Sequence, residues 1–383
     1  MKKKIIILGS TGSIGLSTVN IFKKDQKNFE VVLLSTNKNI KKIIKQAIFF
    51  KTKYLIISDY NSYLFAKSKY KNLNLKIYNT FSIINKIFKK RNIYYSMSSI
   101  VGIEGLKPTL ELIKCSKNIA IVNKEALVCG WNIIKKNLFK YKTNFIPIDS
   151  EHFSIKSLLD ATNIKLIKKI FITASGGPFL NYKTKQFKNI KIINALNHPN
   201  WKMGKKITID SSTMMNKVFE IIEAKNIFNI PYEKISILTH PNSYVHAIIQ
   251  FENGLTKMLI HETDMTIPIF NSIYQNKKKI YTNKDLNIEL LNSLDFKKIN
   301  KKIFPLINIL KILPNKNSLY ETALITINDF FVNKFLEGRI SYNFMVKSIY
   351  KNANSHEFKK LRNIKVKNLR QIEKTIDNVR FKL

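Results

Sequence analysis

Short apolar runs punctuate the first 150 positions at Lys4–Leu8, Glu30–Ser35, Tyr54–Ser58, Leu75–Tyr78, Tyr94–Ile100, Ile119–Val122 and Phe145–Ile148. Each has the length of a strand, and segments between them such as Ile40–Phe50 and Leu106–Ile113 carry apolar residues at helical spacing. Strand and helix in alternation predict a parallel sheet covered on both faces, a Rossmann-like α/β domain over 1–149. From 150 to 274 strand-like runs are separated by turn-rich segments such as Gly176-Gly177-Pro178, His198-Pro199-Asn200 and His240-Pro241-Asn242, which predicts an α+β domain. A Lys/Asn-rich stretch over 275–302 reads as a linker. Beyond it, Tyr320–Leu336 and Tyr342–Tyr350 are periodic and almost free of Gly and Pro, which predicts a C-terminal α-helical domain over 303–383.

Composition agrees with this division. The chain has 383 residues, 45% apolar and 11% aromatic, enough for two or three cored domains and unlike a disulfide scaffold or a disordered tail. Its two cysteines, Cys115 and Cys129, suit a reducing compartment. The net charge of +41 raises the alternative of a basic nucleic-acid-binding protein. Against it, the positive charge is nearly all Lys, with only Arg91, Arg339, Arg362, Arg370 and Arg380 able to offer the bidentate fork that groove readers use. Lys, Ile and Asn are raised together along the whole chain and share A/T-rich codons, so the charge reads as compositional drift on a solvated surface, with no specific nucleic acid implied. The apolar run after Met1-Lys2-Lys3-Lys4 stops at Gly9, too soon for a signal peptide, and no run approaches a membrane span. The expectation is a soluble, cytoplasmic protein without a membrane partner.

Candidate chemistry begins at Gly9-Ser10-Thr11-Gly12-Ser13-Ile14-Gly15, which follows the first strand and opens a helix. Glycines there let backbone approach a pyrophosphate, and the helix N-terminus supplies free N–H groups, the context of dinucleotide binding. About 20 residues on, where an NAD-specific fold places an acid on the ribose, the chain has Asn37-Lys38-Asn39, which favours NADPH. Asp149-Ser150-Glu151 closes the last strand of the first domain. In an extended segment Asp149 and Glu151 share a face and can aim at one point, suiting Mg²⁺ or Mn²⁺, while an Asp-x-Glu pair taken by itself fits a surface acidic pair better. Glu220 is a third candidate ligand, one turn after Asn216-Lys217 in a hydroxyl-rich stretch that suits a phosphate beside a metal. Ala174-Ser175-Gly176-Gly177 offers further donors for an oxyanion, and the His198 to Lys206 segment has the character of a lid.

The motifs Gly9-Ser-Thr-Gly-Ser-Ile-Gly15, Ala120-Ile-Val-Asn-Lys-Glu125, Pro147-Ile-Asp-Ser-Glu-His152, Ala174-Ser-Gly-Gly-Pro-Phe179, His198-Pro-Asn-Trp201, Met203-Gly-Lys205 and Asp210-Ser-Ser-Thr-Met-Met-Asn-Lys217 occur in order. Together they closely resemble the 1-deoxy-D-xylulose 5-phosphate reductoisomerase family. That resemblance implies NADPH- and metal-dependent rearrangement and reduction of a small phosphorylated sugar, deoxyxylulose phosphate, to 2-C-methyl-D-erythritol 4-phosphate for isoprenoid synthesis, by a homodimer. Residue by residue it implies cofactor binding at Thr11, Gly12, Ser13, Ile14, Asn37, Lys38, Asn39, Asn123, Glu125 and Gly204. It implies metal binding at Asp149, Glu151 and Glu220, and substrate binding at Lys124, Ser150, Glu151, Ser175, His198, Ser211, Asn216, Lys217 and Glu220. The catalytic set is then Lys124, Asp149, Glu151, Glu220 and His198.

The chain departs from the family pattern at Asn242, where Gln is usual, at Thr263, where Pro is usual, and at Asn328-Asp329, where Asn-Glu is usual. The competing enzymatic reading is an NADP-dependent dehydrogenase of another small phosphorylated carbonyl, which needs the glycine turn and no three-carboxylate site.

Overall fold

All seven apolar runs of the first 150 residues become strands: β1 (Lys3–Leu8), β2 (Phe29–Thr36), β3 (Tyr54–Ile57), β4 (Lys76–Tyr78), β5 (Ile93–Ser98), β6 (Ser116–Ile121) and β7 (Asn144–Pro147). They form one sheet in the order β4-β3-β2-β1-β5-β6-β7, parallel throughout. Ile5, Ile6, Ile7 and Leu8 of the central strand are fully buried, as a strand covered on both faces requires. The computed structural model describes residues 1–89, 91–160, 162–274, 279–281 and 285–383.

The chain divides into two compact units, 1–127 with 132–149 and 265–282, and 128–131 with 150–264 and 283–383. This differs from the expected boundaries. The helix Thr266–Tyr274, expected within 150–274, belongs to the first unit, where Ile269, Ile273 and Tyr274 join the core built by Ile5, Phe22 and Tyr95. Its polar edge is tied there as well. Tyr274 donates to Asp25 Oδ2 at 2.7 Å, and Ser272 Oγ lies 2.8 Å from the Tyr95 hydroxyl. An apolar helical stripe announces burial but does not say in which core.

The second unit holds a mixed sheet of β8 (Ile167–Ala174), β9 (Ile235–Thr239), β10 (Val245–Phe251), β11 (Thr256–Ile260) and β12 (Lys297–Lys298), in the order β11-β10-β8-β9-β12. Strand β8 runs parallel to β9 and antiparallel to β10. The helices Ser150–Leu159 and Met215–Phe228 share its core, through Ile155 and Leu159 from one and Ile221 and Ala224 from the other. The expected linker is partly structured, since β12 pairs with β9 and a short helix spans Ile288–Asn292; positions 275–278 and 282–284 of it lie outside the described residues. The C-terminal helices Leu319–Leu336, Tyr342–Asn354 and Leu369–Lys382 form as expected, within this second unit. No helix among the described residues is long and apolar enough to cross a membrane.

Candidate active site

In the first unit the strand order reverses at β1, which lies between β2 and β5, so the loop leaving β1 stands at the switch point where doubly wound sheets bind ligands. Gly9 adopts φ +73°, and a Cβ there would stand 2.6 Å from the Ser99 carbonyl oxygen. A Cβ on Gly15 would overlap the Gly9 carbonyl, so the helix Ser13–Lys23 sits against the turn only because that position is bare. Gly12 is the N-cap residue and no side chain caps this helix, which leaves its first N–H groups open to an anion. Thr11 Oγ1 lies 2.7 Å from Thr36 Oγ1, joining the turn to the end of β2. Beyond β2, Asn37 donates to Ser58 Oγ and Asn39 caps the helix Ile40–Phe50 by accepting from Lys42 N. Lys38 stands out from this loop, its side chain 74% exposed and its ammonium 3.8 Å from Asp59.

Asn123, Lys124 and Glu125 open the helix Lys124–Tyr141. Asn123 is the cap: Oδ1 accepts from Ala126 N at 2.5 Å, and Nδ2 donates to the carbonyls of Ile100 and Gly102. Both ends of this amide are thus committed to backbone, a structural task the motif did not reveal. Glu125 is buried in the first turn. Lys124 Nζ is ion-paired with Asp149 Oδ2, within the same unit.

Asp149 is the residue after which the chain passes into the second unit. The expected extended segment through Asp149 and Glu151 is not there, because β7 ends at Pro147 and a helix begins at Ser150, with Glu151 in its first turn. Within the second unit Glu220 has a carboxylate oxygen within 4.8 Å of one of Glu151, and between these two lies the ammonium of Lys217, 2.7 Å from Glu151 Oε1 and 2.5 Å from Glu220 Oε2. Burial opposes the charge on Lys217, but the two carboxylates outweigh it and hold the pKa above the ordinary lysine range. Asn216 donates to Glu220 Oε1 at 2.5 Å and Ser150 Oγ to Glu151 Oε2 at 2.6 Å. The helix Met215–Phe228 explains the grouping, since Asn216 and Lys217 precede Glu220 by four and three residues and share its face.

His198 is neutral by its own hydrogen bonds. Nδ1 accepts from the N–H groups of Asn200 (3.2 Å) and Trp201 (3.0 Å), so the proton sits on Nε2 and is donated to Ser175 Oγ at 3.1 Å. Burial, then the Lys217 charge, push its pKa down to about 4. Ser175 Oγ also accepts from Gly177 N, which joins the turn after β8 to the His198 loop. The irregular segment ends earlier than the expected lid at 206, because Gly204 is already the N-cap of the helix Lys205–Ser212 and Ser211 lies within that helix. Lys206 at its start reaches Asp210 (3.4 Å) and Asp329 (2.8 Å), while Asn328 donates to Asp210 Oδ1. The Asn328-Asp329 pair is thereby tied to the helix that follows the loop.

Two residues that sequence reasoning left unassigned also belong here. Buried His152 lies 2.9 Å from the Glu220 carbonyl through Nε2, with Nδ1 3.9 Å from Glu223 Oε2. The available signal was the Glu220-x-x-Glu223 spacing on one helix. His240 and His246, which flank a Pro-Asn turn without the helical spacing of zinc ligands, read as structural groups, and His246 stacks on His261 with ring centroids 3.7 Å apart.

These histidines give the second unit an acid sensitivity. Burial lowers His240, His246 and His261 as it does His198, taking His246 down to about 3. With folded pKa values below the unfolded value of about 6.5, their contribution is complete above that pH and is lost as pH falls toward the folded values. Glu321 acts oppositely: burial raises it to about 7, so acidification through the same window favours the folded state. Four histidines against one carboxyl predict that thermal midpoints measured between pH 6 and 4.5 fall with acidification. A flat or rising midpoint would refute this reading.

Family models match most of the chain: 1-deoxy-D-xylulose 5-phosphate reductoisomerase over residues 5–130, its C-terminal domain over 145–228, and a further DXP reductoisomerase C-terminal domain over 260–380. The chain is 54% identical to the 1-deoxy-D-xylulose 5-phosphate reductoisomerase of Pelagibacter ubique (strain HTCC1062) over 382 residues, covering 100% of this chain and 98% of that protein. Its structure is similar to that of the Zymomonas mobilis enzyme in complex with NADPH, with a TM-score of 0.88, 27% identity, and coverage of 100% and 98%. A DOX-P reductoisomerase in complex with NADPH, fosmidomycin and magnesium gives a TM-score of 0.90 at 28% identity, with coverage of 99% and 97%. With the parallel sheet, the glycine turn and the clustered carboxylates in place, this full-length identity means that the chain belongs to the 1-deoxy-D-xylulose 5-phosphate reductoisomerase family.

Proposed function

We propose that the chain is an NADP-dependent oxidoreductase that rearranges 1-deoxy-D-xylulose 5-phosphate and reduces it with NADPH to 2-C-methyl-D-erythritol 4-phosphate, supplying isoprenoid synthesis. The observation that carries this reading is the pair Glu151 and Glu220, two carboxylates already converging on one cation, the Lys217 ammonium. A site that holds an ammonium with hard oxygens fits Mg²⁺ or Mn²⁺, with Asp149 as third ligand. When bound, the divalent cation supplies Lewis-acid polarisation of the substrate carbonyl. NADPH supplies the hydride.

The chain's own residues do the rest. The bare turn at Gly9–Gly15 and the uncapped helix behind it fit a pyrophosphate, with Thr11, Gly12, Ser13 and Ile14 along its length. Asn37, Lys38 and Asn39 receive the 2′-phosphate side, Asn123 and Glu125 shape the rear of the cofactor site, and Gly204 completes it. Ser175, Ser211, Asn216 and Lys217 hold the substrate phosphate, and His198, neutral with its proton on Nε2, donates without adding charge. Ser150 orients the substrate at the carboxylates, and Lys124 stabilises developing oxyanion charge. The loop from His198 to Gly204 closes over the substrate and excludes water. We assign the protein to the cytoplasm as a homodimer. The exposed edge strand β11, with Met258 44% exposed and Leu255 just before it 57% exposed, supports a second copy, since such edges are seldom left open.

Lys38→Ala tests the cofactor assignment: NADPH binding should weaken by about 1–2 kcal/mol, the range of a lost charge-assisted contact, with NADH barely affected. Equal losses for both would reassign Lys38 to the fold. The activity itself is tested by following NADPH oxidation on addition of 1-deoxy-D-xylulose 5-phosphate, with and without a chelator. Oxidation that persists in chelator, or none with metal present, would sink the reading.

A further inference from the structure

We infer that Lys217 is an exchangeable counter-ion, passed from the metal-binding carboxylates to a bound oxyanion, so that the divalent cation and the oxyanion bind cooperatively. The inference rests on the metal reading above.

It starts from an occupancy count within the second unit. Glu151 Oε1 accepts from Lys217 and Oε2 from Ser150, while Glu220 Oε1 accepts from Asn216 and Oε2 from Lys217. All four oxygens therefore have protein donors. Asp149, the third carboxylate, is likewise ion-paired with Lys124. A divalent cation taking one oxygen from each glutamate must displace some of these donors, and the ammonium is the one that repels it.

Displaced Lys217 cannot simply enter water. Its side chain is 6% exposed, and a buried ammonium stripped of its partners costs several kcal/mol unless an anion takes their place. The four-carbon stem lets the charge swing while the backbone of the helix stays fixed. Asn216 Nδ2, hydrogen-bonded to the other oxygen of Glu220, stands beside the ammonium on the same helix. An ammonium and an amide together match a tetrahedral oxyanion such as phosphate or phosphonate. Metal binding thus creates the demand for the oxyanion. By linkage the oxyanion, in drawing Lys217 away, strengthens the metal by the same factor.

The test is Mn²⁺ titration of the full chain, read from the electron paramagnetic resonance signal of free Mn²⁺, with and without inorganic phosphate and corrected for Mn²⁺–phosphate complexes in buffer. In the wild-type protein phosphate should tighten Mn²⁺ by about five- to hundredfold, the usual range of a coupling between sites. Lys217→Gln should bind Mn²⁺ more tightly than wild type without phosphate and lose most of the coupling. Mn²⁺ affinity indifferent to phosphate in the wild type would overturn the inference, and this arm needs no variant to fold. Coupling that survives in Lys217→Gln would also overturn it, since the phosphate would then be touching the metal directly. Failure of the wild type to bind Mn²⁺ at all would overturn the metal reading itself, an outcome distinct from independent binding.

Discussion

Glu220→Gln should lower kcat by roughly a hundred- to ten-thousandfold while leaving NADPH affinity within a few-fold, because Lewis-acid polarisation contributes several kcal/mol and each 1.36 kcal/mol is tenfold in rate. Glu220 is 1% exposed and engages Asn216 and Lys217, and the proposal makes it a ligand of the cation. Glutamine keeps its shape and one carbonyl oxygen but removes the charge that binds a divalent ion. Glu151→Gln and Asp149→Asn should behave alike. The three should also share a signature in metal titrations, with activity partly recovered at high Mn²⁺. An isosteric variant with wild-type activity at low metal would remove that residue from the coordination set. A variant that lost NADPH binding to the same extent would indicate damage to the fold instead.

Gly15→Ala and Gly12→Ala should separate packing from cofactor approach, although the two glycines are three residues apart in one turn. At Gly15 the added methyl would overlap the Gly9 carbonyl and press on Ser10 Cα, so the helix Ser13–Lys23 must move off the turn. Overpacking of this kind costs about 1–3 kcal/mol of stability, and displacing the helix N-terminus should weaken NADPH roughly tenfold or more. At Gly12 the same methyl finds only the Gly9 oxygen at 3.5 Å, and φ is −78°, which any residue adopts. The thermal midpoint of Gly12→Ala should therefore stay at the wild-type value while NADPH weakens, because the methyl occupies the surface a pyrophosphate would approach. If Gly12→Ala bound NADPH normally, the turn would be a packing device and the dinucleotide would lie elsewhere.

The first unit was largely legible from the chain because its signals are local. Strands buried on both faces announce themselves as continuous apolar runs, and all seven appear where the runs stand. The glycine turn was legible for the same reason, its strand before and helix after being contiguous in sequence. The carboxylates are readable as candidates, but the extended segment that would put Asp149 and Glu151 on one face is not there, since β7 ends at Pro147 and a helix begins at Ser150.

Residue types and their order therefore determined the fold class, the glycine turn and the family. Partnership was decided by tertiary structure. Asn123, a cofactor candidate in its motif, is held at both ends of its amide by backbone. Lys217, a phosphate candidate by its hydroxyl-rich neighbourhood, is clasped by Glu151 and Glu220, 66 residues away and three residues on. His198 is neutral because two backbone N–H groups take its Nδ1 lone pair, and Thr266–Tyr274 completes the first core although four strands of the second sheet separate it from the rest of that core in sequence. Periodicity records only which positions must leave water, a property each side chain carries by itself. Which group meets which, and hence which charge is compensated and which proton is held, depends on contacts between distant segments that burial alone does not specify.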